Sequence, residues 1–372
     1  MGFFTRKTHT TAQPTVNTTA AHGRHDIYSM QARPKFGQYS NMAVMGAVGL
    51  GVYMARPAPS RSFAVTFSDG EIVYPEFAYP LRKEIVPIWL AAFLAAFIPI
   101  LGILIMQVRV RSFWDVNNGI IGLLYSLISA AVFQVFVKWL IGGLRPHFLD
   151  VCKPDTSLAT DTGYNRKGFQ QLYFTREICT GDVDQIGELL NLPINDSLES
   201  FPSGHSTAAF AGFVFLYLYL NAKLKVFSNY HPAMWKLIVI YAPVLGAVLI
   251  AGALTIDNFH NWYDVVAGAV IGSVMAFSSY RMTYAAIWDW RYNHIPLNRN
   301  APFLYLPETG ELVGAVFTRK AGWGDAVGAL GRGNDQSYHD HPHNANQDTY
   351  HASSSIPLRA VGGGHAQPEN MV

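Results

Sequence analysis

Lys138-Trp139-Leu140-Ile141-Gly142-Gly143-Leu144-Arg145-Pro146 closes a long apolar stretch with two cations that are seven residues apart. On a helix that spacing is about two turns, which places both side chains on the same face. Pro146 is expected to stop the helix, so that Arg145 lies near a water interface. A lone lysine in such a place often only extends its charge to water along its alkyl chain. The pair followed by proline instead favours a site that binds an anion.

The composition of the chain indicates a membrane protein. Of its 372 residues, 50% are hydrophobic and 14% are charged, whereas soluble globular proteins carry about a quarter charged residues. Six apolar runs approach the length of a membrane span. They are Tyr39–Ala55, Ile85–Gln107, Gly119–Ile141, Gly204–Asn221, Trp235–Thr255 and Trp262–Met282. These runs predict an all-α, polytopic membrane protein, a bundle of six transmembrane helices. The net charge of +2 is too small to indicate a nucleic-acid partner.

Lysines and arginines near the ends of the runs predict the orientation, since such cations collect on the cytosolic side. They lie in the N-terminal tail and after the second, fourth and sixth runs: Arg6, Lys7, Arg24, Arg33, Lys35, Arg109, Arg111, Lys223, Lys225, Lys236, Arg281 and Arg291. With six spans all of them fall on one side, so both termini are predicted to be cytosolic. The loops 56–84 and 142–203 and the turn 256–261 then lie on the lumenal or extracellular side.

Four regions are predicted along the chain. A cytosolic tail (1–38) precedes a six-span domain (39–292), whose long outer loop is 142–203. A short, partly ordered segment (293–324) and a disordered cytosolic tail (325–372) follow, since the last part is rich in Gly, Asn, His and Ser.

The outer loop carries two candidate modifications. Cys152 and Cys179 both lie in it, where an oxidising lumen favours a disulfide over two free thiols. Asn195 begins the glycosylation sequon Asn195-Asp196-Ser197. The sequon is close to the membrane and to the fourth run, so its use stays open.

A second motif, Phe201-Pro202-Ser203-Gly204-His205, lies at the edge of the fourth run on the same predicted side. A helix that begins there would direct Ser203, Gly204 and nearby backbone N–H groups at an anion. The alternative for Ser203 is that it only caps the helix. His205 has an ordinary pKa near neutrality, so it can give a proton to a leaving alcohol.

A third motif is formed by His260 and Asp264, four residues apart at the start of the sixth run. On a helix they would share one face within contact range. The carboxylate could then fix the imidazole tautomer and leave the other nitrogen free to attack phosphorus. A simple interface pair is the alternative. Together the three motifs supply cations, two histidines and a carboxylate, which suits metal-free phosphoryl transfer.

In this order and spacing the motifs resemble the type-2 phosphatidic acid phosphatase superfamily, specifically its lipid phosphate phosphatase branch. The family pattern K-x6-RP, PSGH and SR-x5-H-x3-D is matched by Lys138, Arg145-Pro146, 202–205, His260 and Asp264. The resemblance spans residues 39–282. It implies an integral membrane enzyme that hydrolyses phosphate monoesters such as phosphatidic acid, with a lipid phosphate and the bilayer as partners and with no metal or other cofactor.

The resemblance also assigns roles to residues. His260 would be the nucleophile that forms a phosphohistidine, Asp264 would orient it, and His205 would protonate the leaving alcohol. The phosphate would be bound by Lys138, Arg145, Ser203 and Gly204.

One position departs from the family pattern, because Ala253-Leu254 stands where the family has Ser-Arg. Leucine cannot supply the charge-assisted hydrogen bonds of that arginine. The outer loop offers four candidate substitutes: Lys153, Arg166, Lys167 and Arg176. The chain is therefore an active phosphatase, a slow one, or a non-catalytic lipid-binding or scaffold protein. A lipid phosphotransferase is a further alternative. A transporter is disfavoured, since the polar residues gather at one membrane face.

Overall fold

A computed structural model describes residues 36–55, 62–67, 69–160, 165–181 and 196–298. The α-helices and β-strands in these residues are α1 (Phe36–Met54), β1 (Phe63–Ala64), α2 (Ile88–Val110), α3 (Phe113–Ile141), α4 (Phe148–Cys152), β2 (Tyr173–Phe174), α5 (Gly204–Leu224), α6 (Met234–Ile256) and α7 (Trp262–Thr283). Asn195, the tail up to residue 35 and the C-terminal segments beyond residue 298 lie outside the described residues.

Five of these helices, α2, α3, α5, α6 and α7, are long and apolar enough to cross a membrane. They match five of the six predicted runs within a few residues. Helix α1 forms where the first run was predicted and packs against α3, but it is not among the five. The helical, multi-span character of the chain is thus confirmed, while the sixth span stays a prediction.

Helix α5 is the central helix of the bundle. In its most apolar 18-residue stretch 89% of the residues are buried, against 22–39% in the other four. It contacts α2, α3, α6 and α7, and because it faces protein on all sides it can be less apolar than helices that face lipid. Its first turn lies tightly against α7, since a Cβ at Gly268 would lie 2.6 Å from the Ser203 carbonyl oxygen. Only glycine permits this approach.

The C-terminal end of α5 corrects one prediction. The helix continues to Leu224, and Lys223, predicted to be a loop cation, is fully buried. Its Nζ donates to Asp115 Oδ1 at 2.5 Å. Lys225 and Lys236 are buried as well. The sequence around Lys223 does not reveal that this lysine is buried, because the carboxylate that pairs with it belongs to α3.

The loops predicted to be lumenal or extracellular form a small folded cap, which the sequence did not predict. Strands β1 and β2 pair antiparallel, with Phe63 opposite Phe174. A buried cluster lies beneath them: Phe63, Val65, Phe148, Cys152, Phe174 and Ile178. A disulfide joins Cys152 to Cys179. The cap is attached to the segment that follows α3, because the backbone N–H of Tyr79 donates to the Pro146 carbonyl at 3.1 Å.

Candidate active site

The end of α3 separates the two cations of the first motif. The helix ends at Ile141, four residues before Arg145, and not at Pro146 as predicted. Gly142 follows with φ +56°, a left-handed conformation that glycine adopts without strain. Lys138 therefore lies in the last helical turn, whereas Arg145 lies beyond the helix. The prediction that both lie on one helix face was wrong, and the two glycines are the physical reason.

The same glycines bind the segment that leads into α5. The Gly143 N–H donates to the Leu198 carbonyl at 2.9 Å, and the Phe201 N–H donates to the Gly142 carbonyl at 3.2 Å. Next to this pairing, the Arg145 N–H donates to the Ser197 carbonyl at 2.9 Å. These bonds connect the first motif directly to the second.

Arg145 is buried, with one edge of its guanidinium occupied. Nη2 donates to Asp196 Oδ1 at 2.6 Å, and Nε donates to the Asp196 carbonyl at 2.9 Å. Among the described residues, the buried Nη1 has no hydrogen-bond partner. Burial would raise the pKa of Asp196, but Arg145 and Lys138 outweigh it and hold that pKa below its usual value. Asp196 thus stays ionised and leaves the other edge of Arg145 available.

His260 does not lie on α7. The helix begins at Trp262 with Asn261 as its N-cap, and Asp264 Oδ2 accepts from the Asn261 backbone N–H at 3.0 Å. His260 precedes the N-cap residue Asn261 and is not part of the helix. The prediction that His260 and Asp264 share one helix face was therefore wrong. The two still meet, but Nδ1 and Oδ2 are 3.7 Å apart, which is too far for a hydrogen bond.

Ser200 fills this gap, and the sequence did not single it out. Its Oγ lies 2.5 Å from Asp264 Oδ2 and 3.3 Å from His260 Nδ1. All three side chains are buried. The only feature of the sequence that could have pointed to Ser200 is its position two residues before Pro202 of the second motif.

His205 faces His260 across the site. Their ring centroids are 6.2 Å apart, and His205 Nε2 is a buried nitrogen without a hydrogen-bond partner in the part of the chain that the structure describes. Glu84 Oε1 lies 3.9 Å from this nitrogen. Burial raises the pKa of Glu84, so its carboxyl is easier to protonate than usual. Glu84 was also missed, since a single acid beside an apolar run carries no distinctive spacing.

The electrostatic surroundings keep His260 neutral. Burial lowers the pKa of this imidazole well below its usual value, and the charges of Arg145, Lys138 and His205 lower it further. Arg145 also lies near this histidine, with Cζ 5.3 Å from the ring centroid of the neighbouring Phe259. A neutral imidazole has one unprotonated nitrogen, which a nucleophile requires.

Ser203 and Gly204 begin α5. The Ser203 hydroxyl accepts from the Ser206 N–H at 3.5 Å, and its own N–H donates to the Asp264 carbonyl at 3.1 Å. Ser203 is fully buried. The structure therefore supports the capping role, and binding of phosphate by Ser203 and Gly204 stays a prediction.

Leu254, where the family has arginine, is also fully buried. Its carbonyl accepts from the N–H groups of Phe259 and His260 at 3.1 and 3.2 Å. The four outer-loop cations suggested as substitutes are all exposed. A different cation, Arg82, reaches this end of α6, with Nη1 at 3.5 Å from the Ile256 carbonyl.

A cavity of about 460 Å³ lies beside the site, between the cap and the end of α3. Ser200 and Asp264 form part of its wall. Six aromatic side chains also line it: Phe63, Tyr74, Phe77, Tyr173, Phe201 and Tyr263. A space lined by aromatic side chains thus adjoins the charged residues.

Residues 119–288 match the PAP2 superfamily. A PA-phosphatase related-family protein of Dictyostelium discoideum is 34% identical over 239 residues, which is 64% of this chain and 67% of the relative. Lipid phosphate phosphatase 1 of Arabidopsis thaliana is 32% identical over 58% of this chain and 60% of the relative. Diacylglycerol pyrophosphate phosphatase 1 of Saccharomyces cerevisiae is 36% identical over 46% of this chain and 54% of the relative.

No solved structure matches the chain. The alignments cover between 54% and 67% of these three relatives, and the family match runs from within α3 through α7 to residue 288. It therefore includes the four helices that border the histidines. These alignments show that the chain belongs to the PAP2 superfamily.

Proposed function

We propose that the protein is an integral membrane lipid phosphate phosphatase that acts through His260. One observation carries this proposal: two buried nitrogens, Arg145 Nη1 and His205 Nε2, lack a hydrogen-bond partner among the described residues and flank His260. Buried polar atoms are nearly always paired, so such atoms indicate a missing ligand. A phosphate group can accept from both, and Arg145 would bind it through its free edge.

The proposed reaction has two steps. In the first, His260 Nε2 attacks phosphorus, the bond to the lipid oxygen breaks, and His205, protonated to the imidazolium beside the negatively charged phosphate, gives the proton of its Nε2 to that oxygen and becomes neutral. In the second, water attacks the phosphohistidine, His205 takes a proton from the water, and inorganic phosphate leaves. Lys138 and Arg145 stabilise the charge that develops on the phosphoryl oxygens. The chain's own side chains suffice for both steps, so we propose that no metal ion takes part.

We further propose that the site lies on the lumenal or extracellular face, with both termini in the cytosol and α1 as the sixth span. Three of the cations that predict orientation, Arg109, Arg111 and Lys236, lie at the end of the bundle away from the histidines. The disulfide in the cap is consistent with this side, because disulfides persist in oxidising compartments.

The proposed substrate class is lipid phosphate monoesters such as phosphatidic acid. The names of the relatives, a lipid phosphate phosphatase and a diacylglycerol pyrophosphate phosphatase, support this class. The aromatic cavity beside Ser200 and Asp264 supports it as well, since it offers apolar surface next to the charged groups.

The replaced arginine leaves two further possibilities. A weakly active enzyme would rely on Lys138 and Arg145, with Arg82 as a candidate substitute cation, because its exposed side chain contacts the Ile256 carbonyl at this end of α6. A non-catalytic protein would use the same site to bind lipid phosphates. The hydrogen-bonded arrangement of Asp264, Ser200 and His260 favours the enzyme, because lipid binding alone does not require an oriented nucleophile.

The test is release of phosphate from phosphatidic acid by the purified chain in detergent with EDTA present, compared with His260→Ala. Release that persists in EDTA and is lost in the variant supports the proposal. Absence of release from several lipid phosphates, with the phosphate mimic orthovanadate still bound, would instead favour the lipid-binding alternative.

A further inference from the structure

The contact between His260 and Asp264 is indirect, and the geometry of the third side chain determines how it works. Asp264 Oδ2 is 3.7 Å from His260 Nδ1, whereas Ser200 Oγ is 2.5 Å from the carboxylate and 3.3 Å from the ring nitrogen. Among the residues that the structure describes, only the serine is within hydrogen-bond distance of both partners.

A serine hydroxyl has one proton and two lone pairs, which fixes the direction of both bonds. The carboxylate can only accept, so Ser200 donates its proton to Asp264. Towards His260 the hydroxyl can then only accept, so Nδ1 must carry the proton of the neutral ring. Nε2 is therefore the nitrogen with the free lone pair.

Ser200 is held in this position by backbone bonds. Its N–H donates to the Gly143 carbonyl at 3.1 Å, and its neighbour Phe201 is bonded to Gly142. The side chain is 1% exposed. Asp264 is held as well, since its Oδ2 also accepts from the backbone N–H of Asn261 at 3.0 Å. The serine is thus fixed from both sides.

We propose that Ser200 is a positioning residue that connects Asp264 to the nucleophile and selects the Nδ1-protonated tautomer of His260. This inference rests on the proposed function of His260. When Nε2 bonds to phosphorus the ring becomes positively charged, and the Nδ1–H bond to Ser200 strengthens. The proton stays on Nδ1, the carboxylate stays ionised, and Ser200 transmits its stabilisation.

The first experiment measures the tautomer and does not depend on catalysis. The full chain, labelled with ¹⁵N-histidine, is studied by NMR in detergent at neutral pH, and the His260 signals are assigned by their loss in His260→Gln. We expect a protonated Nδ1 in the wild type and in Ser200→Thr, which keeps the hydroxyl. In Ser200→Ala the preference of the His260 ring for a protonated Nδ1 is expected to disappear.

Ser126→Ala is the matched control. Ser126 is equally buried and donates to the Ala211 carbonyl at 2.8 Å, away from both histidines. It should leave the His260 signals unchanged. An Nδ1-protonated ring in folded Ser200→Ala, or an Nε2-protonated ring in the wild type, would overturn the inference. The unfolding temperature of each variant shows whether it is folded. If Ser200→Ala does not fold, the tautomer of His260 in the wild type and in Ser200→Thr still tests the inference.

The second experiment measures turnover of phosphatidic acid. Ser200→Ala should lower kcat on the order of 100-fold with little change in KM, because a misdirected nucleophile affects the reaction more than binding. Ser200→Thr should restore most of the loss. If the wild type is active and Ser200→Ala is unaffected, only the positioning role of Ser200 is contradicted. An inactive wild type contradicts the proposed function, while the NMR result still decides the role of Ser200.

Discussion

Both ends of the helix bundle bury charged side chains, but they differ in how these are paired. The site end contains Lys138, Arg145, His205, His260 and Asp264. The other end, called here the closed end, contains Asp115, Tyr219, Lys223, Lys225, Tyr284 and His294. Helix α3 reaches both, with Asp115 in its first turn and Lys138 in its last turn, roughly 35 Å apart along the axis.

At the closed end the charged groups are matched with partners. Lys223 donates to Asp115 at 2.5 Å and to the His294 carbonyl at 2.9 Å, and the Tyr219 hydroxyl donates to Asp115 at 2.7 Å. Lys225 Nζ donates to His294 Nδ1 at 2.7 Å. These bonds fasten the segment after α7 to the bundle. A network of this kind stabilises the fold and offers no free group to a ligand.

At the site end the pairing is incomplete. Three of the buried side-chain atoms that lack a hydrogen-bond partner within the described ranges lie here: Arg145 Nη1, His205 Nε2 and Asp264 Oδ1. Trp114 Nε1, beside Asp115, is such an atom at the closed end. Leaving such atoms unpaired costs stability, so the clustering of three of them around one histidine is informative. Burial of charge occurs at both ends, and what distinguishes the site end is that several unpaired polar atoms cluster around one histidine.

The largest expected effect concerns His205 at the site end. If it protonates the leaving alcohol, His205→Gln should lower kcat/KM for phosphatidic acid by about 10²- to 10⁴-fold. The loss should be much smaller with p-nitrophenyl phosphate, because nitrophenolate leaves without needing a proton. Steady-state rates on both substrates measure this, with His260→Ala as the control that should lose both. Equal losses of His205→Gln on the two substrates would contradict the general-acid role.

The next effect concerns the closed end and is one of stability. Asp115→Asn leaves Lys223 buried without a countercharge, so we expect a loss of about 3–5 kcal/mol. Thermal unfolding in detergent measures it. Asp289→Asn is the control, since the Asp289–Arg291 pair is partly exposed at 3.0 Å and such pairs contribute about 1 kcal/mol or less. Binding of orthovanadate to the folded Asp115→Asn protein should be unchanged, and a weakened affinity would mean that the two ends are coupled.

A phosphate mimic should distinguish the ends directly. Orthovanadate at 100 times its Kd should stabilise the wild type by about 2.7 kcal/mol. Arg145→Gln should abolish this stabilisation, because it removes the free guanidinium edge, whereas Arg291→Gln should leave it intact. Differential scanning fluorimetry provides the measurement. Equal stabilisation of wild type and Arg145→Gln would show that the anion binds elsewhere.

The difference between the ends also explains how much could be predicted. The cations, histidines and Asp264 were predicted because they lie in short motifs at the edges of apolar runs. The exact arrangement was not, since two local signals were misjudged. Gly142 ends α3 before Arg145, and Asn261 caps α7 after His260. Both are residues whose capping preference overrides a helical reading of the spacing.

Other features could not be predicted at all, because they depend on distant partners. Ser200 acquires its role only when Gly143 pairs with the segment before α5. Lys223 looked like a loop cation until α3 supplied Asp115, which is 108 residues away in the chain. Pairing across such distances leaves no periodic signal in a single sequence.

The smallest expected effect is a loss of stability at low pH, to which one histidine at each end contributes. It tests whether the two ends differ in binding an anion. Burial lowers the pKa of His260 and of His294 well below its usual value, in each case helped by nearby cations. The unfolded chain therefore binds protons more readily below pH 6.5 or so, and stability is lost as the pH falls through that range.

Each histidine should account for about 1 kcal/mol between pH 7.5 and 5.5, measured as the part of the acid loss that His260→Gln or His294→Gln removes. Bound vanadate should distinguish the stability contributions of the two histidines. A bound anion beside His260 offsets the cations that disfavour its protonation, so the His260 contribution should shrink. His294 must keep Nδ1 unprotonated to accept from Lys225, and its contribution should stay the same. If vanadate reduced both contributions equally, the anion would not act at the site end, and the proposed distinction between an open and a closed end would be wrong.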